Sequence, residues 1–458
     1  MGLPDAVAWV VLIAKRIVGK AVAAWLGPPG DAARRFVAEL RDRVTNEPRK
    51  LELYFDISDP WSYLAAQAAS RLIAAYPVEF EIHVVAPPAS DVDPQPALRA
   101  KHAVRDAQQV AGYWDLEFSS TREGDPSAVR DVGTALIRQR PAREQLQCAL
   151  ELSTALWSND RKQLAKLLGT WGTESHTSVP PALHSSYAAL RKTGHYMGAM
   201  FHYAGEWYWG VDRLHYLEAQ LAQDTATPLA EVVKLRPESE RGPQALVEPQ
   251  PNKPTQPLQC EMWFSFDSPY CYLAIEQIEK VLAPHNVPLR LRPLPAGHHG
   301  GMPTIQRLYT VRDAKREADR LGLRFGEICE PSGAGAEHCN AIAHWADQHG
   351  RLLEFARSAM QAAWSEARDL TEYVDLRYVV ERANLPWQEA REIIHNPAAA
   401  PWVQAAASDL AVYGLWDAPA FKVGDWVARG HDRLPLLADR LRRHALSQPH
   451  QRPGAAEF

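Results

Sequence analysis

Residues 262–274 read M-W-F-S-F-D-S-P-Y-C-Y-L-A, and residues 53–65 read L-Y-F-D-I-S-D-P-W-S-Y-L-A. Each stretch is an aromatic-rich apolar run that suits a strand. A residue able to cap a helix, a proline at the first helical position and a small-residue run then follow. The two stand 209 positions apart, and further blocks recur outward from them in the same order. V-R-D-A occurs at 104–107 and 311–314, A-L-W-S at 155–158 answers A-A-W-S at 362–365, and G-V-D-R-L at 210–214 answers G-H-D-R-L at 430–434. Four blocks in one order point to an internal duplication. A length of 458 residues admits two to four domains at roughly 100–200 residues each, and the repeat sets the expected number of folded modules at two.

Each half has the same coarse order. A strand (51–57; 261–266), a proline-containing turn and a helix lead to a second strand (80–85; 288–293). About 100 helical residues then precede a hairpin (199–203 with 206–209; 420–423 with 425–428) and a last helix. This order implies a small mixed sheet covered by helices. The expected organisation is a helical segment at 1–46, a first module at 47–222, a linker at 223–257 with seven prolines, a second module at 258–445 and a disordered tail at 446–458.

Lys and Arg total 50 against 55 Asp and Glu, for a formal net charge of −5, a balance that gives nucleic acid nothing to hold. The 46% apolar and 23% charged fractions are those of a globular chain. Five cysteines without a C-x-x-C argue for free thiols in a reducing cytoplasm rather than a disulfide scaffold or zinc site. The apolar run Ala6–Ala14 is far short of the ~20 residues needed to span a bilayer. It reads as an amphipathic helix packed on the protein, with peripheral membrane contact through Trp9 and Trp25 as the alternative.

The turn Asp267-Ser268-Pro269-Tyr270-Cys271 is a well-made helix start, with Ser268 as N-cap and Pro269 at the first helical position. The same physics makes it an anion site. A helix N-terminus carries partial positive charge and spare amides, and a serine hydroxyl there can hydrogen-bond a thiolate and lower its pKa. In the first half the capping residue is Asp59, whose carboxylate would repel that thiolate. Pro419, after Ala418, precedes a strand and offers a cis bond that frees backbone groups for a peptide-like ligand. The corresponding stretch Gly198-Ala199-Met200-Phe201 has no proline. The second half therefore reads as competent and the first as degenerate.

S-P-Y-x-Y-L-A at a helix start, a helical insert, x-P-x-F and G-x-D-R-L together resemble the DsbA-like branch of the thioredoxin fold. Within it the chain is similar to 2-hydroxychromene-2-carboxylate isomerases and kappa-class glutathione transferases. The resemblance implies an α/β fold of two tandem thioredoxin-like (DsbA-type) domains, each with an inserted α-helical subdomain. It implies that Ser268 holds the glutathione sulfur, that Ala418 and Pro419 align its backbone, and that the turn with His431 and Asp432 binds its γ-glutamyl end. His431 stands where that family has a small hydroxyl residue, and Gln306 falls near the position of its lysine.

The leading expectation is a glutathione-dependent isomerase or transferase with a small hydrophobic or aromatic substrate, glutathione as cosubstrate and no metal. The chain could also pair as a homodimer. One alternative is a thiol-disulfide oxidoreductase using Cys271, although dithiol exchange needs two sulfurs and the first position is Ser268. The other is a non-catalytic binding scaffold. His298-His299 reads as a solvated loop for want of a third ligand. The Arg105/Asp106 and Arg312/Asp313 pairs read as structural salt links at helix starts, and Trp207-Tyr208-Trp209 as core packing or contact between the halves.

Overall fold

The computed structural model describes residues 17–27, 30, 32–34, 36, 49–234, 258–297 and 302–447. The Ala6–Ala14 segment, most of the 223–257 linker, His298-His299 and the tail beyond 447 lie outside the described residues. The chain forms two compact units, one of residues 28–244 with 301–312 and one of 1–27, 245–300 and 313–458.

In the first unit, β1 (Lys50–Asp56) pairs in parallel with β2 (Glu79–Val85) and antiparallel with β3 (Met200–Tyr203), which pairs antiparallel with β4 (Glu206–Trp209). The strand order is β2-β1-β3-β4. Helix α1 (Pro60–Ala75) follows β1, and α2 (Pro96–Tyr113), α3 (Pro126–Leu136), α4 (Ala142–Trp157), α5 (Arg161–Trp171) and α6 (Val179–Thr193) run between β2 and β3. Helix α7 (Leu214–Asp224) closes the unit.

The other unit repeats this pattern. β5 (Cys260–Phe264) pairs in parallel with β6 (Leu289–Pro293) and antiparallel with β7 (Ala420–Val423), and β7 pairs antiparallel with β8 (Trp426–Arg429). The order is β6-β5-β7-β8. Helix α8 (Pro269–Leu282) follows β5. Between β6 and β7 run α9 (Thr304–Leu321), α10 (Ala334–Gln348), α11 (Leu352–Ser365), α12 (Tyr373–Arg382), α13 (Trp387–Ile393) and α14 (Ala399–Val412), and α15 (Leu434–Ser447) ends the described chain.

Alternation places Leu51, Leu53 and Phe55 of β1 in one buried cluster with Leu64, Ala65, Ala68 and Leu72 of α1. Cys260, Met262 and Phe264 of β5, and Leu273, Ile275 and Ile278 of α8, are likewise buried. Trp207 and Tyr208 are buried in the first unit, so they are core, as one of the two sequence readings has it.

Two expectations change. Asp106 and Asp313 lie within α2 and α9 rather than at helix starts. The start of the expected linker is pinned: Ala230 N donates to Tyr76 Oη (2.9 Å) and Val232 N to Glu218 Oε1 (3.0 Å). Tyr76 and Glu218 are buried polar groups that need partners, and this backbone supplies them. No helix among the described residues is long and apolar enough to cross a membrane.

Candidate active site

The turn between β5 and α8 is fixed by its own polar atoms. Ser268, in extended conformation, accepts from Cys271 N through its hydroxyl (3.4 Å), and Pro269 opens the helix. Asp267 accepts from Ser265 Oγ and from Gly297 N (3.1 Å). Trp364 Nε1 donates to Phe266 O (3.2 Å), anchoring the loop in the core. Ser268 and Cys271 therefore stand where the sequence predicts, on one helical turn.

Their roles separate. Cys271 is fully buried, and its sulfur accepts from Ser265 N at 3.4 Å. Burial, reinforced by the Asp417 and Asp267 charges, holds its thiol far above the usual range, although Ser268 pulls the other way. An attacking sulfur must be an accessible thiolate, and this one is sealed from solvent.

The 431–433 turn packs against α8. His431 is buried, its ring stacked on Tyr270 at 4.9 Å and 8°, and its Nε2 lies 3.3 Å from Glu317 Oε2. Glu317 also takes Arg320 at 2.6 Å. The His431 ring thus serves the interior. Asp432 is half-buried, with one oxygen 3.4 Å from Arg433 Nη1.

The Ala418–Pro419 bond is cis, as the sequence suggests. Pro419 O accepts from Gly430 N (2.8 Å), which ties this bend to the turn carrying Asp432. Gly430 has φ +108°, and a Cβ there would stand 2.4 Å from Asp432 Oδ1. Ala418 N donates to Asp417 Oδ1 (2.6 Å), and the other Asp417 oxygen takes Arg429 (2.7 Å). The amide assigned to a ligand backbone is therefore engaged by the chain itself.

Sequence reasoning missed Glu317 and Asp417, and it read Asp313 as half of a salt link rather than as the partner of Tyr270. Tyr270 Oη donates to Asp313 Oδ2 (2.7 Å), and in the other unit Trp61 Nε1 donates to Asp106 Oδ2 (2.8 Å). The aromatic residue after each proline thus meets the aspartate of V-R-D-A. Recurrence of that block with an aromatic residue at the turn was the available signal.

The corresponding turn of the first unit is more acidic than its sequence suggests. Asp59 caps α1 through Trp61 N (3.2 Å) and accepts from Ser62 Oγ (3.1 Å). Ser58 donates to Asp56 Oδ1 from both its amide (2.9 Å) and its hydroxyl (2.8 Å), while Asp56 Oδ2 is buried without a hydrogen bond. Arg99 binds Asp93 at 2.6 Å, and all four charged residues are buried. Burial raises the Asp59 carboxyl to about 7, with Arg99 opposing and Asp56 adding to the shift.

Residues 259–442 match the DSBA-like thioredoxin domain family. Among solved structures, a probable DsbA oxidoreductase from Streptomyces coelicolor is similar at 19% identity, with 44% of this chain and 95% of that one covered and a TM-score of 0.36. A 2-hydroxychromene-2-carboxylate isomerase gives 17% identity, 41% and 95% coverage and a TM-score of 0.37. The cytosolic disulfide reductase DsbM from Pseudomonas aeruginosa gives 13% identity, 41% and 98% coverage and a TM-score of 0.33. No curated protein matches the chain. The part of the chain that holds the Ser268 turn, the cis proline and the Asp432 turn is a DsbA-like thioredoxin domain.

Proposed function

We propose that this domain binds glutathione and uses its thiol to isomerise, or to be transferred onto, a small hydrophobic or aromatic substrate. The observation that carries the reading is Ser268, whose hydroxyl caps α8 at the turn while Cys271 is sealed in the core. A hydroxyl at a helix N-terminus can donate to a ligand thiolate, and the helix dipole favours the negative charge there. Ser268 then orients and ionises the ligand thiol, and the thiolate is the attacking group. Asp432, held over Gly430, accepts the ligand's amino end. Exchange chemistry at Cys271 is disfavoured by its burial.

We further infer that residues 47–222 arose by duplication and are degenerate at this site. The shared strand order and the paired ring–aspartate bonds support this. Free cysteines accord with a cytoplasmic location.

Isothermal titration of the full chain with reduced glutathione tests the assignment. One site is expected, with binding at least tenfold weaker in Ser268→Asp, which keeps the cap but repels a thiolate, and also in Ser268→Ala. No heat with the intact chain, or binding by both variants as tight as by the intact chain, overturns the reading; productive binding without turnover of any aromatic carboxylate selects the scaffold.

A further inference from the structure

On one face of the first sheet, pairing registers collect four groups able to bind a metal. Glu52 of β1 lies opposite Glu81 of β2 and His202 of β3, and Tyr54 lies opposite His83. Because side chains alternate, Glu52, Glu81, His83 and His202 share that face. His83 Nε2 lies 3.1 Å from Glu52 Oε1 and 3.6 Å from Glu81 Oε2, and one donor atom from each residue falls within 4.8 Å of the others. Donors bound tetrahedrally at the ~2.0–2.2 Å of zinc–nitrogen and zinc–oxygen bonds sit about 3.3 Å apart. The two spacings from His83 are therefore close to those of a coordination shell. His202 Nδ1, 2.6 Å from Glu52 Oε2, is placed as an outer partner orienting the ligating carboxylate.

The second sheet provides an internal control. Its glutamate at the matching position, Glu261, lies opposite Arg290 and Lys422, with Arg292 one rung along. Three cations reach it, Arg292 at 3.0 Å, Lys422 at 3.1 Å and Arg290 at 3.9 Å. That glutamate is satisfied by fixed positive charge. The first sheet replaces those cations with Glu81, His83 and His202, leaving Lys50, 2.7 Å from Glu81, as the fixed charge nearby. All four groups are partly exposed, which leaves an entry path.

We propose that Glu52, Glu81 and His83 bind a divalent transition-metal ion of the Zn²⁺ type, with His202 in support and a fourth position open to water. Lys50 gives up Glu81 when the ion enters.

Titration of the metal-stripped full chain with Zn²⁺ against a chromophoric chelator tests this. One site per chain is expected, lost in both His83→Ala and Glu81→Gln. Affinity should fall about 10- to 100-fold in His202→Gln and rise in Lys50→Met, which removes the competing cation. Circular dichroism of each variant confirms that the fold is kept. Absence of Zn²⁺ binding by the intact chain, or unchanged binding in His83→Ala, overturns the proposal.

Discussion

Asp59 and Ser268 hold their helices in the same way and differ in charge. Each satisfies a first-turn amide, yet Asp59 adds a carboxyl to a buried set already holding Asp56 and Asp93 with one arginine. With its folded pKa near 7, above the ordinary 3.8, Asp59 keeps a proton that the unfolded chain releases. The folded state therefore binds more protons between about pH 4 and 7, and stability falls as pH rises through that window. Asp59→Asn retains the cap without the charge. It is expected to leave stability near pH 4 about unchanged and to raise it increasingly up to pH 7, so that the gain at pH 8 exceeds the gain at pH 5 by more than about 1 kcal/mol, measured by urea denaturation at both pH values. Equal effects at the two would refute this. The caps were legible in the sequence because capping is local. Asp93 and Arg99 were not, since only the tertiary fold buries them beside Asp56 and Asp59. The same holds for His431, which nothing in G-H-D-R-L marks as an interior ring.

At the scale of elements, the turn after β8 joins two parts of the site through one hydrogen bond, Gly430 N to Pro419 O. Its backbone angle and the carboxylate over its Cα both demand glycine. Gly430→Ala is expected to cost about 1–3 kcal/mol and, on the proposed function, to weaken glutathione binding by displacing Asp432. Gly424→Ala, with φ +59° but open space at its Cβ, should cost less and leave binding intact. Thermal unfolding and calorimetric titration of the two variants check this, and equal effects would show that the Asp432 contact is immaterial. Strands, hairpins and helix starts were readable here because alternation, Gly-containing turns and Ser-Pro or Asp-Pro caps are short-range signals. The V-R-D-A block was visible but misplaced. Its aspartates act across the fold on Trp61 and Tyr270, which no periodicity reveals.

For the molecule as a whole, the repeat implies a small mixed sheet in each half, and the structure has two four-stranded sheets with corresponding strand orders. The family match covers residues 259–442, where Ser268 and the Pro419 bend are retained. Equivalent positions in the first unit carry Asp59 and Gly198-Ala199. The metal-type cluster of the first sheet escaped sequence reading because Glu52, His83 and His202 meet only through strand register.

The cysteines add a practical consequence. Cys148, Cys260, Cys271 and Cys339 are buried, while Cys329 is half-buried. Burial raises each of the four buried thiols, with Arg140 partly opposing at Cys148. A brief maleimide pulse on the native chain should therefore label one sulfur, and denaturant should release the other four, as intact-mass spectrometry would count. Two or more rapid additions in the folded state would contradict this packing. Nature has thus left a single chemical handle at position 329, through which a dye or spin probe can be attached without engineering a cysteine-free background.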